Sequence, residues 1–167
     1  MIQVYTGNGK GKTTAAFGLA LRAAGAGLKV YIGQFLKGRN YSELKTLKKI
    51  KNIKVEQFGR RCFIKKAPDK KDIILAKSGL EKIKKIIAKK NYDMVILDEI
   101  NIALKLKLLD LKEVIKLIKK TPKNLELILT GRYAPSAILK IADLVSQIKE
   151  VKHYYKKGIK ARKGIEF

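Results

Sequence analysis

The sequence predicts a three-layer α/β fold: a mostly parallel sheet with helices on both faces. Three observations predict it. Short apolar, β-branched segments alternate along the whole chain with longer lysine-studded segments of helical period. The strand segments are continuous apolar runs, as expected of strands covered on both faces. A glycine-rich loop separates the first strand from the first helix, the arrangement that lets a backbone wrap an anion at a helix N-terminus.

The elements follow in order. Ile2–Tyr5 is a short apolar strand leading into glycines. Thr13–Ala26 is rich in alanine and leucine and stops at Gly25 and Gly27, so it reads as a helix. Lys29–Phe35 is the second strand, Ser42–Ile50 a short helix and Val55–Phe58 the third strand. Residues 59–69 hold Gly59, Arg60, Arg61, Cys62, Phe63 and Pro68 and read as a loop. Ile73–Lys90 has helical period, Met94–Leu97 is an apolar strand, and Leu111–Lys120 is a helix stopped by Pro122. Leu125–Leu129 is a strand, Ser136–Ile141 a short helix and Leu144–Ile148 a last strand. The tail from Lys149 carries Gly158 and Gly164 and reads as irregular. No repeat or low-complexity linker divides the 167 residues, so a single nucleotide-binding domain over 1–167 is expected.

In parallel sheets of this kind ligands sit at the carboxyl ends of the strands. Three polar clusters fall there: the loop after Tyr5, Asp98-Glu99 after Leu97, and Thr130-Gly131-Arg132 after Leu129. The first is a phosphate cradle, Gly7-Asn8-Gly9-Lys10-Gly11-Lys12-Thr13-Thr14. Its glycines let successive N–H groups turn inward, Lys12 supplies a cation, and Thr13 supplies a hydroxyl for a metal ion. The usual pattern places glycine five residues before Gly11; here that residue is Thr6, so the loop is one residue tighter. Asp98 and Glu99 are the expected partners, since phosphate-bound Mg²⁺ takes one or two carboxylates. Arg132 is a candidate for anion contact, because its planar fork suits phosphate. Together these features narrow the fold to the P-loop NTPase-like, RecA-like type, binding ATP with Mg²⁺ or Mn²⁺.

The net charge of +25 raises nucleic-acid binding. Only six of the 39 cations are arginine, and the lysines spread over nearly the whole chain at helical spacing. That is the pattern of a solvated helix surface, whereas base reading favours arginine, so nucleic acid is disfavoured as a partner. No run approaches the roughly 18 apolar residues of a membrane span. The N-terminal residues show no basic segment followed by an apolar run, so no signal peptide is expected. Cys62 is the one cysteine and cannot form an internal disulfide, so a reducing cytoplasm is expected.

The wider text is more specific. Thr6-Gly7-Asn8-Gly9-Lys10-Gly11-Lys12-Thr13-Thr14-Ala15-Ala16-Phe17-Gly18, then Arg22-Ala23-Ala24-Gly25 and Gln34-Phe35-Leu36-Lys37-Gly38, closely resemble the ATP:corrinoid adenosyltransferases of the P-loop type. So do Leu97-Asp98-Glu99, Thr130-Gly131-Arg132 with Pro135 and Ala142-Asp143, and the tail blocks around Lys152-His153-Tyr154, Gly158-Ile159-Lys160-Ala161 and Gly164-Ile165-Glu166-Phe167. The compact loop is that family's own form. The resemblance implies transfer of the 5′-deoxyadenosyl group of ATP to the Co(I) of a corrinoid, with tripolyphosphate leaving. The acceptor would be cobalamin or a precursor such as cobyrinic acid a,c-diamide or cobinamide. It also implies that Thr13 and Glu99 are the metal ligands with Asp98 in support. ATP would lie across the loop in a direction that exposes C5′. A flavoprotein electron donor reducing Co(II) and a homodimer are partners compatible with it.

Some blocks depart from the family. Many members carry an N-terminal helical extension that helps cover the corrinoid, whereas this sequence begins at the first strand. Many carry Gly-Phe-Thr-Trp after the third strand; the corresponding stretch here is Gly59-Arg60-Arg61-Cys62-Phe63-Ile64, and the chain has no tryptophan. Phe63 and Ile64 are the candidates for a dry wall beside cobalt. The glycine–glutamate pair usual after the Lys-Gly block reads Ser42-Glu43. Two other chemistries share the loop. In a kinase or hydrolase Glu99 would orient water or a hydroxyl, although a thymidine-kinase-like protein would carry a zinc-binding cysteine set. The other is an ATP-dependent nucleic-acid-binding module.

Overall fold

A computed structural model describes residues 1–39, 41–61 and 67–167. Its centre is a six-stranded sheet of order β3-β2-β4-β5-β1-β6. The strands are β1 (Ile2–Thr6), β2 (Val30–Phe35), β3 (Ile53–Phe58), β4 (Met94–Asp98), β5 (Glu126–Thr130) and β6 (Leu144–Gln147). Every ladder is parallel: β1 with β5 and β6, β2 with β3 and β4, and β4 with β5. The helices are α1 (Lys12–Gly25), α2 (Ser42–Leu47), α3 (Lys70–Lys89), α4 (Ile100–Lys105), α5 (Leu111–Lys120) and α6 (Ser136–Leu139).

The period of two along each strand sorts the apolar residues between two cores. Val30, Ile32, Met94, Ile96 and Ile128 face Ala16, Phe17, Ala20 and Ala23 of α1 and Leu47 of α2. Tyr31, Phe35, Val95, Leu97, Leu127 and Leu129 face the other way, onto α3, α4, α5 and α6. Alternate residues of one apolar run are therefore buried on opposite faces, which is why these strands read as unbroken hydrophobic segments.

Boundaries differ from the sequence reading where local chemistry intervenes. Helix α3 begins at Lys70, before its first apolar residue. Asp69 accepts hydrogen bonds from Lys71 N and Asp72 N, and the Asp72 side chain accepts from Asp69 N, so a capping box carries a polar first turn. Helix α2 stops at Leu47 and β3 starts two residues earlier than expected, at Ile53. The sequence reading also missed α4. It is six residues long and follows β4 directly, so its apolar residues merge with the strand pattern. In the tail, Tyr154–Lys157 form one 3₁₀ turn.

Gly79 lies mid-way along α3, where glycine ordinarily costs about 1 kcal/mol relative to alanine. A Cβ there would come within 2.4 Å of the Phe58 ring, so the glycine admits close contact between α3 and β3. Gly79→Ala is therefore expected to destabilise by about 1–3 kcal/mol, the cost of overpacking, against its helix-propensity gain. Urea unfolding measures this, and a stabilised variant would contradict the packing.

Candidate functional site

Strand order sets the geometry. The phosphate loop leaves β1 and the acids leave β4, with β5 between them. The end of β5, Thr130-Gly131-Arg132, therefore bridges the two. The three polar clusters expected from the sequence meet at one edge.

The loop is shaped by its glycines and by the chain that leaves β6. Gly7 has φ +98° and Gly11 φ +116°, conformations that favour glycine. A Cβ on Gly7 would lie 2.3 Å from the Ile148 carbonyl oxygen. Gly9 N donates to that same carbonyl at 2.8 Å. Gly11 begins α1 with no side-chain cap, and the first turn carries no acidic residue. The positive end of this 14-residue helix therefore opens onto the loop, ready for an anion. Asn8 and Thr14 are exposed on the loop surface.

Lys12 is drawn into the loop and is only 8 % exposed. Its Nζ donates to Gly9 O at 2.6 Å, curling back into the loop it belongs to. Burial lowers its pKa, while the charges of Glu99 and Asp98 oppose that shift. Lys10 points elsewhere: its Nζ donates to Tyr154 OH at 2.6 Å and pairs with Glu166 at 2.7 Å.

Asp98 is the hub of the site and is fully buried. Its Oδ1 accepts from Thr13 Oγ1 at 2.8 Å and from Thr130 Oγ1 at 2.7 Å. Its Oδ2 accepts from Gln34 Nε2 at 3.0 Å and from Lys37 Nζ at 2.7 Å. Burial works against ionisation, but the Lys37 cation and the hydrogen bonds from Lys37, Thr130 and Thr13 outweigh it and hold Asp98 below the usual carboxylate range. Four donors, from α1, β5, β2 and the loop after β2, thus converge on one carboxylate.

Glu99 has φ +61°, a left-handed backbone uncommon for a side chain of this size. Its N–H donates to Thr130 Oγ1 at 3.0 Å. Burial and then the negative charge of Asp98 raise its pKa, partly offset by Lys37, Lys12 and Arg132. A partly buried carboxylate pressed against a second negative charge is a place where a cation is stabilising.

The donor set fits Mg²⁺. Thr13 donates its hydroxyl hydrogen bond to Asp98, so its oxygen lone pairs remain available to a cation. Among the described residues no group of three His, Cys, Asp or Glu side chains forms a metal cage. A divalent ion here would share its shell with ligand phosphate oxygens and water, the habit of Mg²⁺. Arg132 is exposed at the end of β5 and lines a cavity beside the loop. Phe63 and Ile64 lie outside the described residues. Ahead of them, Arg60 holds the start of that segment to α3 through Asp69 at 2.8 Å and Asp72 at 2.7 Å.

Gln34 and Lys37, quoted above only within a block of family likeness, emerge as working parts, and Thr130 of the third polar cluster gains a specific role as a donor to Asp98. Gln34 did carry a signal, a polar side chain in the otherwise apolar strand Val30–Phe35, fully buried in the fold. Lys37 had none of its own among so many lysines.

Comparison with known proteins agrees with this geometry. The profile described as "ATP:corrinoid adenosyltransferase BtuR/CobO/CobP" matches residues 1–167. A corrinoid adenosyltransferase of Sinorhizobium sp. is 36 % identical over 177 residues, covering 100 % of this chain and 80 % of that protein. Those of Escherichia coli K12 and Salmonella typhimurium LT2 are each 35 % identical over 167 residues, covering 100 % of this chain and 85 % of theirs. Among solved structures, the KaiC-like protein PH0186 of Pyrococcus horikoshii OT3 superposes with a TM-score of 0.59 at 20 % identity, over 91 % of this chain and 74 % of that one. That likeness supports the RecA-like α/β fold. With sequence likeness over its whole length and the expected loop and acids joined at one sheet edge, the chain belongs to the ATP:corrinoid adenosyltransferase family.

Proposed function

We propose that the chain works as an adenosyltransferase in the following way. ATP places its triphosphate in loop 7–14, and Co(I) of a corrinoid attacks the ribose C5′. A Co–C bond forms, the C5′–O bond breaks, and tripolyphosphate leaves with the electron pair. Thr13 and Glu99 would hold Mg²⁺ or Mn²⁺, which when bound neutralises phosphate charge. Lys12, the N–H groups of the loop and Arg132 are aimed at the same charge, which grows on the leaving group in the transition state. Asp98 accepts the hydrogen bond of the Thr13 hydroxyl and so fixes the direction of its oxygen lone pairs. Co(I) is already a strong nucleophile, so the attack needs no general base.

The observation that carries this reading is the Thr13 Oγ1 to Asp98 Oδ1 hydrogen bond of 2.8 Å, which ties the phosphate loop to the acid-bearing strand. The acceptor is cobalamin or a precursor such as cobyrinic acid a,c-diamide or cobinamide. A flavoprotein reducing Co(II), a homodimer and a cytoplasmic setting complete the proposal. The single cysteine suits a reducing compartment. Among the described residues no helix is long and apolar enough to cross a membrane.

The test is anaerobic incubation with ATP, Mg²⁺ and chemically prereduced corrinoid. The expected products are tripolyphosphate and a light-sensitive cobalt–carbon bond. Orthophosphate without that bond would indicate a hydrolase. Glu99→Gln sharpens the distinction: as a metal ligand, its loss should raise the Mg²⁺ concentration needed by about 10-fold or more and slow adenosyl transfer. An unchanged metal requirement, with loss only of orthophosphate release, would assign Glu99 to water positioning.

A further inference from the structure

Asn101 is out of character in α4. It lies among Ile100, Ile102, Ala103 and Leu104 and is fully buried. Asparagine is a poor helix former, and a buried amide is costly unless its hydrogen bonds are made. Its Nδ2 donates to the Gly131 carbonyl oxygen at 3.2 Å, while its Oδ1, also buried, has no donor among the described residues. The carbonyl opposite can only accept, so the amide cannot turn over to relieve its oxygen. An apolar side chain would pack here with no orphaned acceptor. The amide is therefore explained by what its N–H group holds.

It holds the turn after β5. Gly131 has φ +123° and gives its own N–H to Tyr5 O at 3.2 Å, so the turn is tied to β1 on one side and to α4 on the other. A Cβ on Gly131 would lie 3.1 Å from Asn101 Cβ and 3.2 Å from Glu99 Oε2, so this peptide is seated between Asn101 and the Glu99 carboxylate. Glu99, itself at φ +61°, gives its N–H to Thr130 Oγ1 at 3.0 Å. Two chain reversals are thus stitched together twice, Glu99 to Thr130 and Asn101 to Gly131. Arg132 follows Gly131 directly, and its charge acts on both Glu99 and Lys12. We propose that Asn101 is a positioning residue: by holding the Gly131 carbonyl it fixes Arg132 relative to Glu99, so that guanidinium and carboxylate meet an incoming Mg-triphosphate from set positions. The inference rests on the Mg-ATP site proposed above. Released from Asn101, the turn keeps its bond to β1 but can pivot about it, and Arg132 and Glu99 lose their common reference. A site that works by charge held in place in advance feels small displacements of this kind.

A double-mutant cycle with Arg132 tests this, read by calorimetry of Mg-ATP binding without corrinoid and by thermal unfolding. Asn101→Leu removes the N–H donor and leaves no polar atom on the side chain. It is expected to weaken Mg-ATP by about tenfold, the scale of losing a group that orients a ligand-bearing residue. Its unfolding temperature should stay within a few degrees of the parent's, because loss of the orphaned acceptor offsets the bond lost to Gly131. Arg132→Ala should weaken Mg-ATP by a similar factor. In that background Asn101→Leu should cost less than about threefold more, because a residue acting through Arg132 has little left to act on. Asn101→Ala repeats the cycle if the leucine variant does not fold. Parental affinity in Asn101→Leu would overturn the proposal and make the amide a packing residue. So would an equal loss with and without Arg132, which would send its effect elsewhere, or parental affinity in Arg132→Ala, which would leave it nothing to act through. If neither Asn101 variant folds, the amide holds the structure rather than the site, and the proposal fails. Coupling of Asn101 to Arg132 in a protein that forms no cobalt–carbon bond would refute the transferase mechanism and leave the positioning role standing.

Discussion

Lys12→Ala is expected to lower kcat/KM for adenosyl transfer by about 10²–10³-fold, or roughly 3–4 kcal/mol of transition-state stabilisation, the scale of removing one charge-stabilising donor from a preorganised site. The geometry makes the effect large. The ammonium is nearly buried and is held by Gly9 O at 2.6 Å, so it is already in place when phosphate arrives. Burial has lowered its pKa, and an arriving triphosphate favours the charged form again. Alanine suits the first turn of α1, so the fold should survive with its midpoint temperature shifted by a few degrees at most. Lys12→Arg should recover little, because a planar guanidinium does not fit the curled path to Gly9. The measurement is steady-state kinetics on both variants beside circular dichroism. A folded Lys12→Ala protein with near-parental kcat/KM would remove the triphosphate from this loop.

The sheet was legible because each strand is a short run buried on both faces. Met94 to Leu97 alternates sides residue by residue, with Met94 and Ile96 against α1 and Val95 and Leu97 against α3 and α4. Periodicity alone could not reveal α4, which continues the same apolar text. It is separated from β4 only by the left-handed Glu99, and no glycine or proline marks the turn. The capped start of α3 was hidden for the opposite reason: its first turn is polar, and only the reciprocal Asp69–Asp72 bonds define it.

For the site, the loop and the acids stood out because glycines before Lys-Thr-Thr and acids at a strand end are unusual text. Sequence reasoning could pair them only as neighbours on one edge. It could not show that Thr130 stands between them, because strand order sets that contact and β5 comes late in the chain. Nor could it separate Lys37 from the other lysines. Its role depends on Leu36 taking a left-handed φ of 62° at the end of β2, next to Lys37, which reaches Asp98. The tail looked irregular, and it is; its contribution comes from side chains that fold back onto Lys10 and around Arg132.

Asp98→Ala is expected to be the most destabilising single change at the site. Four donors lose their acceptor at once, and Lys37 becomes a largely buried cation without its partner. Removing one member of a buried ion pair costs about 3–5 kcal/mol, because the remaining charge stays desolvated. For a chain of this length that corresponds to a fall in unfolding temperature of roughly 6–20 °C. Asp98→Asn keeps the volume and one acceptor oxygen for Thr13 and Thr130, but turns an amide toward Gln34 and Lys37, donor against donor. Its cost should be smaller, about 1–3 kcal/mol. Combining Asp98→Asn with Lys37→Met removes the stranded cation as well, so stability should return most of the way to the parent's. The Mg²⁺ dependence of transfer should not return in full, since a neutral amide oxygen accepts more weakly from Thr13 than the carboxylate and no longer adds negative charge beside the metal ligands. Thermal unfolding of the three variants, followed by metal titration of those that fold, separates the two roles. If Asp98→Ala were as stable as the parent, the buried network would be irrelevant to folding. If the double variant regained full activity at parental Mg²⁺, the negative charge of Asp98 would have no part in preparing Thr13 for the metal.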